Sequence, residues 1–167
     1  MSRLEILHYP DSRLRTKAQP VTRFDHHLTT LIDGMFAAMY AARGIGLAAT
    51  QVDVHQRVMV ADVSEERGDP ICLVNPEIIA AEGREQSQEG CLSVPDTFEI
   101  VERPAWVRIR AQNPNGDSFE LAVDGLLATC LQHEIDHLDG ILFIDRLSSL
   151  KRVRIRKRFD KNQRHAG

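Results

Sequence analysis

His133-Glu134-Ile135-Asp136-His137 sets two imidazoles four residues apart with a carboxylate beside the first. On a helix, residues i and i+4 share a face. Both rings can therefore bind one ion while Glu134 stands near it as general base for a water. A catalytic site of this type takes three protein ligands and keeps one position for water. The extended metalloprotease pattern is excluded, because Gly140 is where that pattern wants glycine but Phe143 occupies its third-histidine position and cannot ligate. Asp145 and Asp160 lie downstream and could supply an oxygen, but neither stands in a recognisable ligand context. The better third ligand is upstream, in Glu89-Gly90-Cys91-Leu92-Ser93, where Gly90 allows close backbone approach beside a thiol. A thiolate with two imidazoles suits a borderline-soft divalent ion. These residue types hydrolyse an amide: the ion acidifies water and polarises a carbonyl, and Glu134 moves a proton from that water to the leaving amine.

A third stretch, Gly44-Ile45-Gly46-Leu47-Ala48-Ala49-Thr50-Gln51, joins the other two. Together the three resemble the peptide deformylase family, marked by G-x-G-L-A-A-x-Q, E-G-C-[LIV]-S and H-E-x-D-H in this order. The likeness runs from Ile6-Leu7-His8-Tyr9-Pro10-Asp11 and Leu14-Arg15 to the segment from Asp124-Gly125 through Leu147. It implies removal of the formyl group from the N-terminal formylmethionine of new polypeptides, with release of formate. It further implies a metal held by Cys91, His133 and His137, Glu134 as the base, and an oxyanion held by the Gln51 side-chain amide and the Leu92 N–H. Gly44-Ile45-Gly46, short of bulk at two positions, suits an extended chain paired alongside it. By position, the methionine slot is assigned to Ile45, Glu89, Leu126, Thr129, Cys130 and the His133 ring, with Gly90 among the substrate contacts. The family is known for a ferrous ion, so Fe2+ is the expected native metal, with Zn2+, Ni2+ or Co2+ able to substitute. Three residues depart from the common bacterial form: Thr129 where an aliphatic residue is usual, Phe98 where an arginine often follows the Cys motif, and Arg43 where an acid is frequent. None touches the metal or Glu134, so they bear on substrate preference beyond methionine.

The elements that must position these residues read as α+β rather than alternating βαβ. Leu126, Leu127, Cys130, Leu131, Ile135 and Leu138 recur at helical spacing, with Gly140 where a C′ glycine would end the helix. Leu28, Leu31, Ile32, Met35, Phe36, Met39 and Tyr40 define a second amphipathic helix over 25–42, with Asp25 at its N-cap. Short strands are expected at Arg57–Val63 and Ile71–Asn75, followed by a hairpin of Trp106–Ala111 and Phe119–Val123 about Asn113-Pro114-Asn115-Gly116. Leu147 to about Gln163 reads as a terminal helix whose apolar face, Val153, Ile155 and Phe159, is poorly defined. The expected architecture is one compact domain over 1–167, with antiparallel β-sheets packed around a central metal-binding helix and helices near both ends.

Composition fits a small cytoplasmic enzyme. A chain of 167 residues with 43% hydrophobic and 27% charged content is ordinary globular material. Met1-Ser2-Arg3-Leu4-Glu5-Ile6 lacks an apolar signal core, and no run approaches the ~18 apolar residues of a membrane span. Cys72, Cys91 and Cys130 are odd in number with no scaffold-like spacing, which argues against a disulfide framework; Cys72 and Cys130 read as buried apolar residues. Net charge is −3, but residues 151–167 hold eight basic side chains against one aspartate, a local +7 that leaves −10 for the rest. That segment reads as a solvated helix from charge alone. With the family resemblance it gains a candidate partner, the ribosome near its exit tunnel, and residues from about Arg152 onward are expected to be dispensable for hydrolysis of free peptides. No membrane or DNA partner is expected. Two other functions fit parts of the pattern: another metal-dependent amidase or aminopeptidase-like hydrolase, and a structural metal site on an RNA-binding module with the basic tail as its footprint. The second requires four closed ligands and leaves Glu134 and Gln51 without purpose.

Overall fold

Asp25 starts the first helix, its carboxylate accepting from the His27 and Leu28 backbone N–H groups. That helix, α1 (His26–Ala41), buries Leu28, Ile32, Met35 and Met39 against Leu47, Val58, Val60 and Val74 of the sheet. The computed structural model describes residues 4–166; Met1–Arg3 and Gly167, which the sequence reading includes, lie outside the described residues.

The strands are β1 (Gly46–Ala48), β2 (Val58–Ala61), β3 (Ile71–Glu82), β4 (Glu85–Cys91), β5 (Val94–Arg103), β6 (Trp106–Gln112) and β7 (Ser118–Asp124). Five form an antiparallel sheet in the order β1-β2-β3-β6-β7, while β4 and β5 form a separate antiparallel pair. The β6–β7 hairpin is the one expected, its turn held by Asn113, whose side-chain oxygen accepts from the Asn115 and Asp117 N–H groups. β3 is longer than Ile71–Asn75. It continues past Pro76, which lacks an N–H to donate, through a register shift between Val74 and Glu77.

The Cys91 segment, for which the sequence reading predicts no strand, lies in the β4–β5 pair. Cys91 closes β4, pairs with Val94, and is followed at once by the reversal at Leu92-Ser93. Glu85-Gln86-Ser87-Gln88-Glu89-Gly90 carries no apolar alternation, so the strand is stabilised by its partner, whose Val94 and Val101 are buried.

The metal-motif helix, α2 (Gly125–Leu138), is buried at every position from Cys130 to Leu138. A helix enclosed all round belongs to the interior. Gly140, at φ +78, terminates it, and a Cβ there would fall 2.5 Å from the Arg15 carbonyl oxygen. After a 3-10 turn at Phe143–Arg146 comes α3 (Ser149–Ala166). Ile155 and Phe159 of α3 are buried with Tyr9, Val101, Phe143, Ile144 and Leu147, and the Tyr9 and Phe159 rings meet edge to face at 5.1 Å. This burial favours the alternative in which Val153, Ile155 and Phe159 dock the helix on the core over one in which residues from about Arg152 are not needed for hydrolysis of free peptides. Two residues dock it, while Val153, counted on the same face, is exposed. Among the described residues no helix is long and apolar enough to cross a membrane.

Candidate metal centre

Three elements deliver the donor atoms to one point. α2 brings His133 and His137 on consecutive turns, their Nε2 atoms 3.2 Å apart, and the end of β4 brings Cys91 Sγ to 3.2 Å from His137 Nε2. All three donors lie within 4.8 Å of one another. Asp145 and Asp160 are not part of the cluster: Asp145 pairs with Arg15, and Asp160 with Arg156 on α3.

The surroundings fit a cation. Burial opposes charge on His133, but Glu134, Cys91 and Glu89 hold it well above the ordinary histidine range, so the pocket favours positive charge at that point. Burial, and then the charge of His133, holds His137 well below that range, leaving its ring neutral. His133 Nδ1 donates to Glu89 Oε1 at 2.9 Å, which turns the Nε2 lone pair toward the cluster.

Glu134 borders the same cleft as Cys91 and His133, but its oxygens are not among the converging donor atoms. It is buried, and among the described residues its Oε1 has no hydrogen-bond partner. Burial pushes its carboxyl up to about 7 against the attraction of His133 and Arg103, so near neutrality it can both accept and release a proton. The edge strand β1 passes over it at Gly46, where a Cβ would fall 2.6 Å from Glu134 Oε2. Gln51, buried in the 3-10 turn Ala49–Val52, is oriented at both ends: Oε1 accepts from the Ala48 N–H at 2.9 Å, and Nε2 donates to Ser93 Oγ at 3.0 Å, 3.6 Å from Cys91 Sγ.

A cleft of about 440 Å³ opens onto this cluster, with Gly44–Gly46 and Gly90–Leu92 among its lining residues. A smaller recess of about 90 Å³ leads off it. Ile45, Glu89, Leu126, Thr129, Cys130 and His133, the residues assigned to the methionine slot, all border that recess, together with Gln88. Glu89 differs in one respect from a slot residue: its carboxylate is turned away onto Arg103 and His133. Burial would raise the Glu89 carboxyl, but the His133 hydrogen bond and the Arg103 ion pair outweigh it and hold it down at about 2. Arg43 and Phe98 both line the open cleft, and the exposed Phe98 ring lies over Gly90, where a Cβ would meet it at 2.6 Å.

Sequence reasoning missed Arg103 and Ser93. Arg103 is buried and joins Glu89 to Asp136; Ser93 receives the Gln51 amide. Asp136 carried a signal, as the acid within the helix motif, but its partner lies 33 residues earlier with no local mark.

A Cys/His/His cluster at the floor of a cleft, with an unpaired buried glutamate beside it, defines a metal-dependent hydrolase. The polypeptide deformylase family model matches residues 3–153. A peptide deformylase of Hahella chejuensis is 56% identical over 165 residues, with 98% of each chain covered. A crystal structure of a peptide deformylase from Legionella pneumophila superposes with a TM-score of 0.92 at 47% identity, covering 99% of this chain and 98% of that one. One from Synechococcus elongatus in complex with actinonin gives 0.87 at 42% identity, covering 96% and 88%. The chain belongs to the polypeptide deformylase family, metal-dependent hydrolases that remove N-formyl groups from new polypeptides.

Proposed function

We propose that residues 1–167 act as one catalytic domain in which Cys91, His133 and His137 hold a single ferrous ion and Glu134 is the general base. The observation that carries this reading is the convergence of three donors within 4.8 Å beside a buried carboxylate oxygen without a partner. Held by Cys91, His133 and His137, an ion would supply polarisation of the formyl carbonyl and a lowered pKa for water. Glu134 removes the proton of the attacking water and returns it to the departing amine, giving formate and a free amino terminus. The Gln51 amide, which Ala48 and Ser93 hold in place, and the Leu92 N–H beside Cys91 receive the developing oxyanion. The methionine side chain enters the recess of Ile45, Leu126, Thr129 and Cys130, floored by the His133 ring, while Glu89 contributes backbone and stem. The peptide lies extended alongside Gly44–Gly46, paired with its backbone at the free edge of the sheet. The substrate places the enzyme in the cytoplasm, where new polypeptides emerge.

Formate release from a formyl-methionyl peptide, by protein prepared anaerobically with iron, tests the reading against acetylated and free peptides. Glu134→Gln is expected to keep its ion and lose turnover. Cleavage of the acetylated or free peptide in preference to the formylated one would assign a different amidase, and near-native rates in the variant would require another base.

A further inference from the structure

Behind the metal helix a line of charged groups runs from the surface to His133. Asp136, one residue before the ligand His137, accepts from Arg103 Nη1 at 2.9 Å and from Arg146 Nε and Nη2 at 2.7 and 2.8 Å. Arg103 grips Glu89 through Nε at 2.6 Å and Nη2 at 2.9 Å, and Glu89 accepts from His133 Nδ1 at 2.9 Å. Two cations balance two anions. The side chains of Arg103, Glu89 and Asp136 are 3%, 4% and 12% exposed, whereas that of Arg146 is 41% exposed. The line therefore has one end in water.

Arg146 closes the 3-10 turn whose first residue, Phe143, stacks on the His133 ring with centroids 5.8 Å apart. That turn is fixed by Asp145, which accepts from the Leu142 N–H at 2.9 Å and pairs with Arg15. Four consecutive residues thus reach the same ligand twice, once by direct ring contact and once through the ionic line.

We propose that Arg146 is a positioning residue for the metal centre, holding Asp136 so that Arg103 remains available to Glu89 and, through it, to His133. Without the guanidinium, Arg103 would be the one arginine left, among the described residues, to face both Glu89 and Asp136, and its grip on Glu89 would be shared with Asp136. Breaking one member of a buried ion network strains the rest, because the remaining charge has lost its partner and stays desolvated. The fork matters as well as the charge: Nε and Nη2 each meet a different oxygen of Asp136, which an ammonium cannot reproduce.

This inference rests on His133 being a ligand, as proposed above, and its test separates the two. In the metal-loaded protein, Arg146→Met and Arg146→Lys are compared with wild type for release of the ion to a chelator, for Tm, and for kcat and KM separately. Ile32→Ala on α1, a destabilising change in a different cluster, is the control. Arg146→Met is expected to release the ion about tenfold faster or more, the usual loss when a group orienting a metal ligand is removed. Its kcat should fall with KM little changed, and Arg146→Lys should lie between it and wild type. Ile32→Ala should lower Tm without changing release. Release from Arg146→Met at the wild-type rate, or no faster than from Ile32→Ala, would overturn the proposal. Should Arg146→Met fail to fold, a wild-type release rate in Arg146→Lys would overturn it equally. Retention of the ion by His133→Ala would instead overturn the ligand assignment.

Discussion

Gly46 passes so close to Glu134 that a Cβ on it would fall 2.6 Å from the carboxylate Oε2 and 2.7 Å from Cys130 Sγ. Both residues are buried in α2, and Glu134 borders the cleft, so its carboxylate is the neighbour that would have to move. The absence of a side chain at Gly46 therefore leaves the space that the Glu134 carboxylate, the proposed general base, occupies. Gly46→Ala should displace the carboxylate while sparing the three donor atoms. Metal content should remain stoichiometric while kcat falls by about 10- to 100-fold, part of the 10²–10⁴-fold that a placed acid–base group contributes. Metal analysis beside steady-state kinetics checks this, and loss of the ion in this variant would show that β1 shapes the ligands as well.

Cys91→Ala removes the one donor that does not come from α2, at the end of a strand with little apolar burial of its own. The ion joins β4 to α2, so binding free energy becomes folding free energy. Cys91→Ala should lose the ion and lose the Tm increment that added metal gives the native protein. His133→Ala and His137→Ala should behave alike. A stoichiometric, tightly held ion in Cys91→Ala would remove Cys91 from the ligand set.

The parts of this site that were legible share one property: their spacing follows the period of the element that carries them. His133 and His137 at i and i+4, the α1 stripe from Leu28 to Met39, and the β6–β7 hairpin about Asn113-Pro114-Asn115-Gly116 all declare themselves locally. β4 did not, because its polar residues answer to pairing with β5 rather than to any alternation. Arg103 did not, because an arginine bound for the interior looks like any surface arginine until Glu89 and Asp136 are placed around it. The docking of α3 was half legible: Ile155 and Phe159 share a face four residues apart, but the charges between them mask how deeply that face is buried. Glu89 borders the same recess as the residues it was grouped with, but its carboxylate's partners, which come from β5 and α2, had no mark in the sequence.

Gln51 donates its amide to Ser93 Oγ at 3.0 Å, so in the proposed role as an oxyanion donor that hydrogen bond would have to yield or be shared. Gln51→Ala should lower kcat by roughly 10²–10³, the cost of one lost oxyanion donor, with KM much less affected. Ser93→Ala removes the acceptor and leaves the Ala48 N–H to orient the amide through Oε1, so its effect on kcat should be smaller. A change confined to KM in Gln51→Ala would assign that residue to substrate positioning instead.

The terminal helix separates stability from partner binding, because its buried and its charged residues are different ones. Ile155 and Phe159 cover Tyr9, Val101 and Phe143, so deleting residues from Arg152 onward should lower Tm and peptide activity together. Phe159→Ala alone should cost about 3 kcal/mol, the low end for a core phenylalanine. Arg154, Lys157 and Lys161 are exposed and make no ion pair among the described residues. Replacing those three by glutamine should leave Tm and the hydrolysis of a free formyl-methionyl peptide unchanged. If α3 meets ribosomal RNA, the same change should weaken co-sedimentation with ribosomes and flatten its salt dependence, because each lost phosphate contact removes about one released counterion. Equal binding by the triple variant and wild type at moderate salt would leave the charge on α3 as a solvated surface, with docking through Ile155 and Phe159 as the role of the helix.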